Sequence, residues 1–257
     1  MLRVARRLPA LRGAGLILVA TLAACGPGGN EPEPGIYRAV IEAPEGEIPF
    51  GLELAAPADG NAQAPSLYLL DGNQRVAFEN VARVEKSLEA HLPGGMGTLN
   101  FTARGQTLAG YVRLPNRGGS TDEFAFTAES GAVYRFFRES LTDNADVAGR
   151  WSAAFKGGAG EADWVIVLTQ SHDQVSGTLY GPGGVEHPVT GQVQGDDVRL
   201  SSFDGQTARL FTATVNDDGE LEGEAWSNLA GSAHWTARRN PDAEIESAAQ
   251  EEAPTPL

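Results

Sequence analysis

Cys25 is the one thiol among the 257 residues, so the chain can close no internal disulfide and run no Cys-x-x-Cys redox cycle. The four histidines, His91, His172, His187 and His234, stand far apart. None has a second His or a Cys at metal-ligand spacing, which points to surface or strand-end positions and to no metal. Asn216-Asp217-Asp218-Gly219-Glu220 gathers carboxylates beside a glycine but lacks the spaced ligands and closing Glu of a calcium loop, so a tight hairpin accounts for it. Asp196-Asp197 after Gly195 reads the same way. A carboxylate pair for glycoside hydrolysis could be drawn from many acids, and the sequence selects none. No Gly-x-Ser-x-Gly elbow occurs, and Ser201-Ser202 carry no local sign of activation. Gly94-Gly95-Met96-Gly97 follows a proline and enters a strand, leaving no helix N-terminus to cradle phosphate. The residues therefore predict no catalytic set and no cofactor.

The elements that must position any site are strands. Short apolar alternations, among them Tyr37-Arg38-Ala39-Val40-Ile41, Phe50-Gly51-Leu52-Glu53-Leu54, Val165-Ile166-Val167-Leu168 and Leu210-Phe211-Thr212-Ala213-Thr214-Val215, are broken by turn signals such as Asp71-Gly72-Asn73, Gly181-Pro182-Gly183-Gly184 and Asp204-Gly205. No stretch sustains helical periodicity for about twelve residues, so the fold class is all-β with short or no helices. The chain also repeats. Gly35-Ile36-Tyr37-Arg38-Ala39 matches Gly149-Arg150-Trp151-Ser152-Ala153, and Gly46-Glu47 with Phe50, Leu52 and Leu54 matches Gly160-Glu161 with Trp164, Ile166 and Leu168. Further on, Phe101-Thr102-Ala103 with Leu108-Ala109-Gly110 matches Phe211-Thr212-Ala213 with Leu221-Glu222-Gly223, the second turn being three residues longer. Two antiparallel units follow, at 35–138 and 147–239, each of seven or eight strands. They read as lipocalin-like barrels or sandwiches in preference to one merged sheet, because a meander in water must bury one face and hide its edges. Most aromatics should be core. If a barrel has an open mouth, Tyr180, Trp226 and Trp235 are the residues expected to line it. Strands of five to eight residues carrying charges do not suit a transmembrane barrel.

Around these units lie three further segments. Residues 1–24 combine Arg3, Arg6, Arg7 and Arg12 with an apolar run of about ten residues, too short to remain as a span. With Leu22-Ala23-Ala24-Cys25 this resembles the signal peptide and lipobox of bacterial lipoproteins. The resemblance implies acylation of Cys25, anchorage of the chain to the membrane, and, with Gly26 next, sorting to the periplasmic face of a Gram-negative outer membrane. Residues 25–34 would be the lipidated tether. Residues 240–257 read as a disordered acidic tail. Removal of the leader leaves 15 basic against 34 acidic residues, a charge of about −19, which repels phosphate backbones and excludes nucleic acid as a partner.

Tyr37-Arg38-Ala39-Val40 with Gly46-Glu47-Ile48-Pro49-Phe50, Ser202-Phe203-Asp204-Gly205 through Ala213, and Trp235-Thr236-Ala237-Arg238-Arg239-Asn240-Pro241 resemble the β-rich region that precedes the redoxin domain of TlpA-like lipoproteins. The resemblance covers about 35–245. It implies an accessory module, alone or beside a separate redoxin chain, and carries over no catalytic residue because the redoxin domain and its cysteines are missing. The reading that results is a non-catalytic, lipid-anchored periplasmic module binding a protein, a glycan or a small apolar ligand. An accessory of thiol-disulfide exchange and a carboxylate-based hydrolase are the alternatives.

Overall fold

The computed structural model describes residues 31–57, 64–72, 74–157 and 160–246. Cys25, the leader, the first part of the tether and residues 247–257 lie outside them. Alternation builds the strands. In β1 (Gly35–Ala43) Tyr37, Ala39 and Ile41 are buried on one face, and β2 (Gly46–Ala55) answers with Ile48, Phe50, Leu52 and Leu54. β3 (Ser66–Asp71), β4 (Gln74–Ala77), β5 (Glu79–Val84), β6 (Ser87–His91), β7 (Thr98–Arg104), β8 (Thr107–Pro115) and β9 (Thr121–Ser130) follow as antiparallel neighbours, and β9 returns to pair with β1. The sheet order is β4-β3-β2-β1-β9-β8-β7-β6-β5, so its two edges are adjacent in sequence. Only Phe78 separates them, with its ring in the core and its N–H bonded to Leu67 O at 3.0 Å. The sheet therefore curls as an eight-staved barrel with one stave split, β4 held by β3 and β5 by β6.

β10 (Gly149–Gly157), β11 (Gly160–Ser171), β12 (Gln174–Tyr180), β13 (Glu186–Gln194), β14 (Asp197–Phe203), β15 (Ala208–Val215), β16 (Leu221–Ser227) and β17 (Gly231–Arg239) close into a second barrel, with one 3-10 turn at Pro182–Gly184. The architecture is thus all-β, two separate barrels, and no helix among the described residues is long and apolar enough to cross a membrane. The repeat holds to the register. Gly35↔Leu54 through Ala43↔Gly46 in β1–β2 recurs as Gly149↔Leu168 through Gly157↔Gly160 in β10–β11. Tyr37 Oη donates to Glu33 O at 2.6 Å, and its counterpart Trp151 donates through Nε1 to Val147 O at 3.1 Å, each reaching back to a carbonyl four residues earlier. The later landmark needs correction. Gly110 and Gly223 do correspond, each pairing with the strand residue that meets β1 or β10, but Gly110 pairs with Phe101 whereas Gly223 pairs with Ala213, so the two Phe-Thr-Ala stretches stand two residues out of register.

The barrels share a seam. β14 and β15 pack across β2, and Phe203, Ala208, Leu210 and Trp226 belong to the first barrel's core. They seal the end of that barrel that carries its loops at Ala43–Gly46, Asp71–Gln74, Leu92–Gly97 and Pro115–Thr121. Phe203 lies 4.9 Å from Phe50, Trp226 lies 5.5 Å from Phe124, and Asn228 Nδ2 donates to Pro115 O at 2.8 Å. The connecting segment is clamped as well. Gln192 Oε1 accepts the backbone N–H groups of Arg135, Phe136 and Phe137 at 3.0, 2.6 and 2.9 Å, and Arg135 Nη2 bonds Ser201 Oγ at 2.9 Å and Asp71 Oδ1 at 3.4 Å. Asn240–Glu246, expected to begin a disordered tail, instead packs on the second barrel. Asn240 N–H donates to Arg150 O, Arg150 Nη1 to Ala243 O at 2.8 Å, and Ala243 is buried.

Candidate functional site

The second barrel opens at the end formed by its β10–β11, β12–β13, β14–β15 and β16–β17 connections. Residues in phase with the buried Trp151, Ile166 and Trp235 point inward there. Four rings build a floor: Phe155 stacks on Trp235 (5.7 Å, 8°), meets Phe211 edge-on (6.1 Å) and leans on Trp164 (5.2 Å). Trp235 pairs with Gly223, which offers no side chain in the way, and its Nε1 donates to Thr212 O and Glu224 O at 3.1 and 3.2 Å. With that polar atom satisfied, the indole contributes apolar surface. Above the floor is a cavity of about 330 Å³, bordered by Phe155, Trp164, Phe211, Ala225, His187 and Arg209. That volume is at the small end of the range for ligand pockets.

The rim is polar. Arg209 Nη1 meets Asp204 Oδ2 at 3.3 Å, while Asp204 Oδ1 accepts the N–H groups of Gln206 and Thr207 at 2.9 and 2.7 Å, a turn that fixes the carboxylate in place. The His187 ring lies 5.2 Å from Trp164. Burial, reinforced by Arg209, holds its pKa below the ordinary histidine value against a weaker pull from Asp204, so the imidazole is neutral at neutral pH.

Beside the mouth the wall has a window. β13 and β14 pair from Gln194↔Asp197 to Thr190↔Ser201 and then part. Beyond that point β13 stays with β12 through Glu186, and β14 with β15 through Phe203. The gap, about 90 Å³, is faced by Asp71 and Gly72 of the first barrel, and His187 and Arg209 border both it and the mouth cavity. Ser202 Oγ, on the inner face of the wall, and Thr190 Oγ1, on its outer face, are buried without a hydrogen-bond partner among the described residues. Asp71 is held above the ordinary carboxylate range, burial outweighing the attraction of Arg135. Its two oxygens are taken by Arg135 Nη2 and by Phe203 N–H at 3.2 Å, a structural use of the group.

Of the three aromatics expected at a mouth, Trp226 borders the cavity while packing outward on Phe124, and Trp235 forms the floor. Tyr180 lies elsewhere, in a groove of about 690 Å³ against the Asn240–Glu246 segment. His187, expected at a strand end, is there but turned inward. His234 sits outside between Glu224 at 3.2 Å and Glu222 at 3.7 Å, and His91 faces Asn80. Sequence reasoning did not place Phe155, Trp164, Phe211 or Arg209 at the mouth. The signal for the first two was their inward phase right beside a hairpin. Among the described residues no three His, Cys, Asp or Glu side chains are grouped to hold a metal ion.

No protein-family model and no curated protein matches the chain. Among solved structures it is similar to a Bacteroides fragilis protein provisionally named as an outer membrane protein, at 14% identity and a TM-score of 0.28 over 80% of this chain and 97% of that one. It is likewise similar to a protein with unknown function from the DUF3598 family of Nostoc punctiforme, at 15% identity and a TM-score of 0.27 over 80% of this chain and 94% of that one. Both likenesses are too distant to bear on what the cavity holds.

Proposed function

We propose that the second barrel is a non-catalytic binding module whose mouth takes a small, mainly apolar molecule, and that acylated Cys25 ties it to the periplasmic face of the outer membrane. One observation carries the binding reading. By register, Phe50 and Phe126 of the first barrel correspond to Trp164 and Trp235 of the second. In the first barrel this aromatic floor is covered by an apolar ring from outside the barrel, Phe203 on Phe50 at 4.9 Å. In the second, Trp164 faces the 330 Å³ cavity beside Phe155 and Phe211, and Trp235 lies beneath, stacked on Phe155. A floor that seats a phenyl group in one copy is suited to seat an apolar group in the other, since burying apolar surface is favourable wherever the pocket is preformed.

The test is tryptophan emission of the full chain carrying Cys25→Ala, which takes no acyl group, titrated with naphthalene. A saturable change is expected. Trp164→Ala should weaken it by about tenfold, and Ala225→Leu, which fills the cavity from β16, should abolish it with circular dichroism unchanged. A linear, unsaturable response in the Cys25→Ala chain would remove the reading. Mass spectrometry of the exported protein addresses the anchor: three acyl chains on an amino-terminal Cys25 are expected.

A further inference from the structure

We propose that the mouth takes an apolar acid, its body on the aromatic floor and its carboxylate on the guanidinium of Arg209. This rests on the mouth being a ligand site, and it adds the charge of the ligand's head.

The phase of the strands singles out the residue. Side chains in step with the buried core of the second barrel point inward, and along its eight described strands that phase carries two charged residues, Arg209 and Arg239, and no acid. The bias runs against a chain of 34 acidic and 19 basic residues. Arg239 lies at the end away from the mouth and is engaged there, its guanidinium over the Trp151 ring at 4.5 Å and its Nη1 donating to Ala148 O. Arg209 is in step with Phe211 of the floor and borders the cavity. Among the described residues its guanidinium makes one hydrogen bond, from Nη1 to Asp204 Oδ2 at 3.3 Å, and the Asp204 side chain is 53% exposed, so that pair is weak. Five N–H donors lie in the plane of the group, and its unbonded nitrogens are not sealed from water. A cation beside apolar rings is costly unless an anion meets it, and the planar fork of arginine matches a carboxylate with two parallel bonds.

The acids nearby do not fill that place. Asp204 Oδ1 accepts the N–H groups of Gln206 and Thr207, which keeps the carboxylate in its turn outside the strands. Asp71, across the window, is taken by Arg135 and by Phe203 N–H. Glu186 of β13 and Glu161 of β11 are exposed and in the outward phase, and Glu161 faces Lys156 at 3.3 Å. The rest of the chain's negative charge is more distant, and physiological salt screens exposed charges beyond about 8 Å. His187, which borders the cavity beside Arg209, is neutral and repels neither sign of head. An alcohol would meet the same donors without the ion pair, and an ammonium would meet a guanidinium.

The experiment is calorimetric titration of the full Cys25→Ala chain, at neutral pH and physiological salt, with 2-naphthoate, 2-naphthylmethanol and 2-naphthylmethylammonium, which share one ring system and differ in the head, and with naphthalene, which has none. The same titrations are run on Arg209→Met and Arg209→Lys. Naphthoate should bind at least about tenfold more tightly than the alcohol or the ammonium, the scale of a charge-assisted hydrogen bond. Arg209→Met should erase that ratio, and Arg209→Lys, which keeps the charge and loses the fork, should keep part of it. Because the readout is a ratio within each variant, a general loosening of the mouth, which weakens every ligand together, does not imitate it. Should Arg209→Met fail to fold, Arg209→Lys decides, since its ratio must fall below the parent's. Naphthoate binding no more tightly than the alcohol in the parent would overturn the proposal, and so would an unaltered ratio in Arg209→Met. In either case naphthalene binding by the parent would leave the mouth standing and remove only the acid. Failure of all four to bind the parent would remove the mouth as a site, and this reading with it.

Discussion

Arg135 reaches from the connecting segment into the seam, where burial pulls its guanidinium down to about 10, still charged at neutral pH, and pushes the Asp71 carboxyl upward. Each needs the other. Arg135→Met would leave Asp71 buried without its cation and should cost about 3–5 kcal/mol in urea unfolding at neutral pH, most of it recovered by adding Asp71→Asn. A carboxylate whose folded pKa is raised contributes most to stability below its unfolded value, and loses that contribution as pH rises through the folded one. Without Arg135 the folded pKa of Asp71 climbs further, so the penalty should be larger at about pH 8 than at about pH 4.5, as paired urea midpoints would show. His187 has the opposite sign. Its folded pKa is lowered, so its contribution is present above the unfolded value of about 6.5 and is lost as pH falls. His187→Gln should therefore lose less stability than the parent between about pH 7 and pH 5, read by thermal midpoints. Arg209 and Ser202 were not legible as inward residues. Alternation with Phe211 and with Leu200 puts them inside, but polar side chains in that phase are expected only where a barrel opens, and the sequence does not say which end does.

At the level of strands, the glycines inside the sheets set how closely neighbours approach. A Cβ on Gly191 would lie 2.0 Å from Arg199 O, and one on Gly223 would lie 1.9 Å from Thr212 O, both backbone atoms that cannot swing aside. Gly191→Ala should cost about 1–3 kcal/mol through overpacking, measured by urea midpoint. At Gly219, where φ is +74° and nothing is near, alanine should cost only about 1 kcal/mol through backbone conformation. Strand identity was readable wherever one face is buried, as in Tyr37-Ala39-Ile41. It was weak in β4, whose four residues are all exposed, so the split stave left no alternation to follow. The repeat was readable through β1–β2, whose register recurs intact. It slipped at β15, where Phe211-Thr212-Ala213 repeats the letters of Phe101-Thr102-Ala103 but stands two residues out of register, Gly110 pairing with Phe101 and Gly223 with Ala213.

For the molecule as a whole, the seam makes the two barrels unequal. The second barrel's core draws only on residues of its own half, Val147 to Ala237, whereas the first barrel's core includes Phe203, Ala208, Leu210 and Trp226. Residues 145–246 expressed alone should unfold cooperatively, while 31–138 alone should bind a hydrophobic dye and show no sharp transition; equal behaviour of the two fragments would contradict the shared core. The sign of this dependence was present in β14 and β15. Leu210 and Phe211 are adjacent and both buried, and Ser201, Ser202 and Phe203 are buried in succession, the mark of strands covered on both faces. It passed unread because apolar residues in a single unit are assigned to that unit's own interior. A ribosome makes the protein from its amino end, so the stopper is among the last parts to appear. The amino-terminal half therefore waits with a greasy socket agape until Trp226 has been synthesised, and whatever escorts the nascent chain meets that half unfinished.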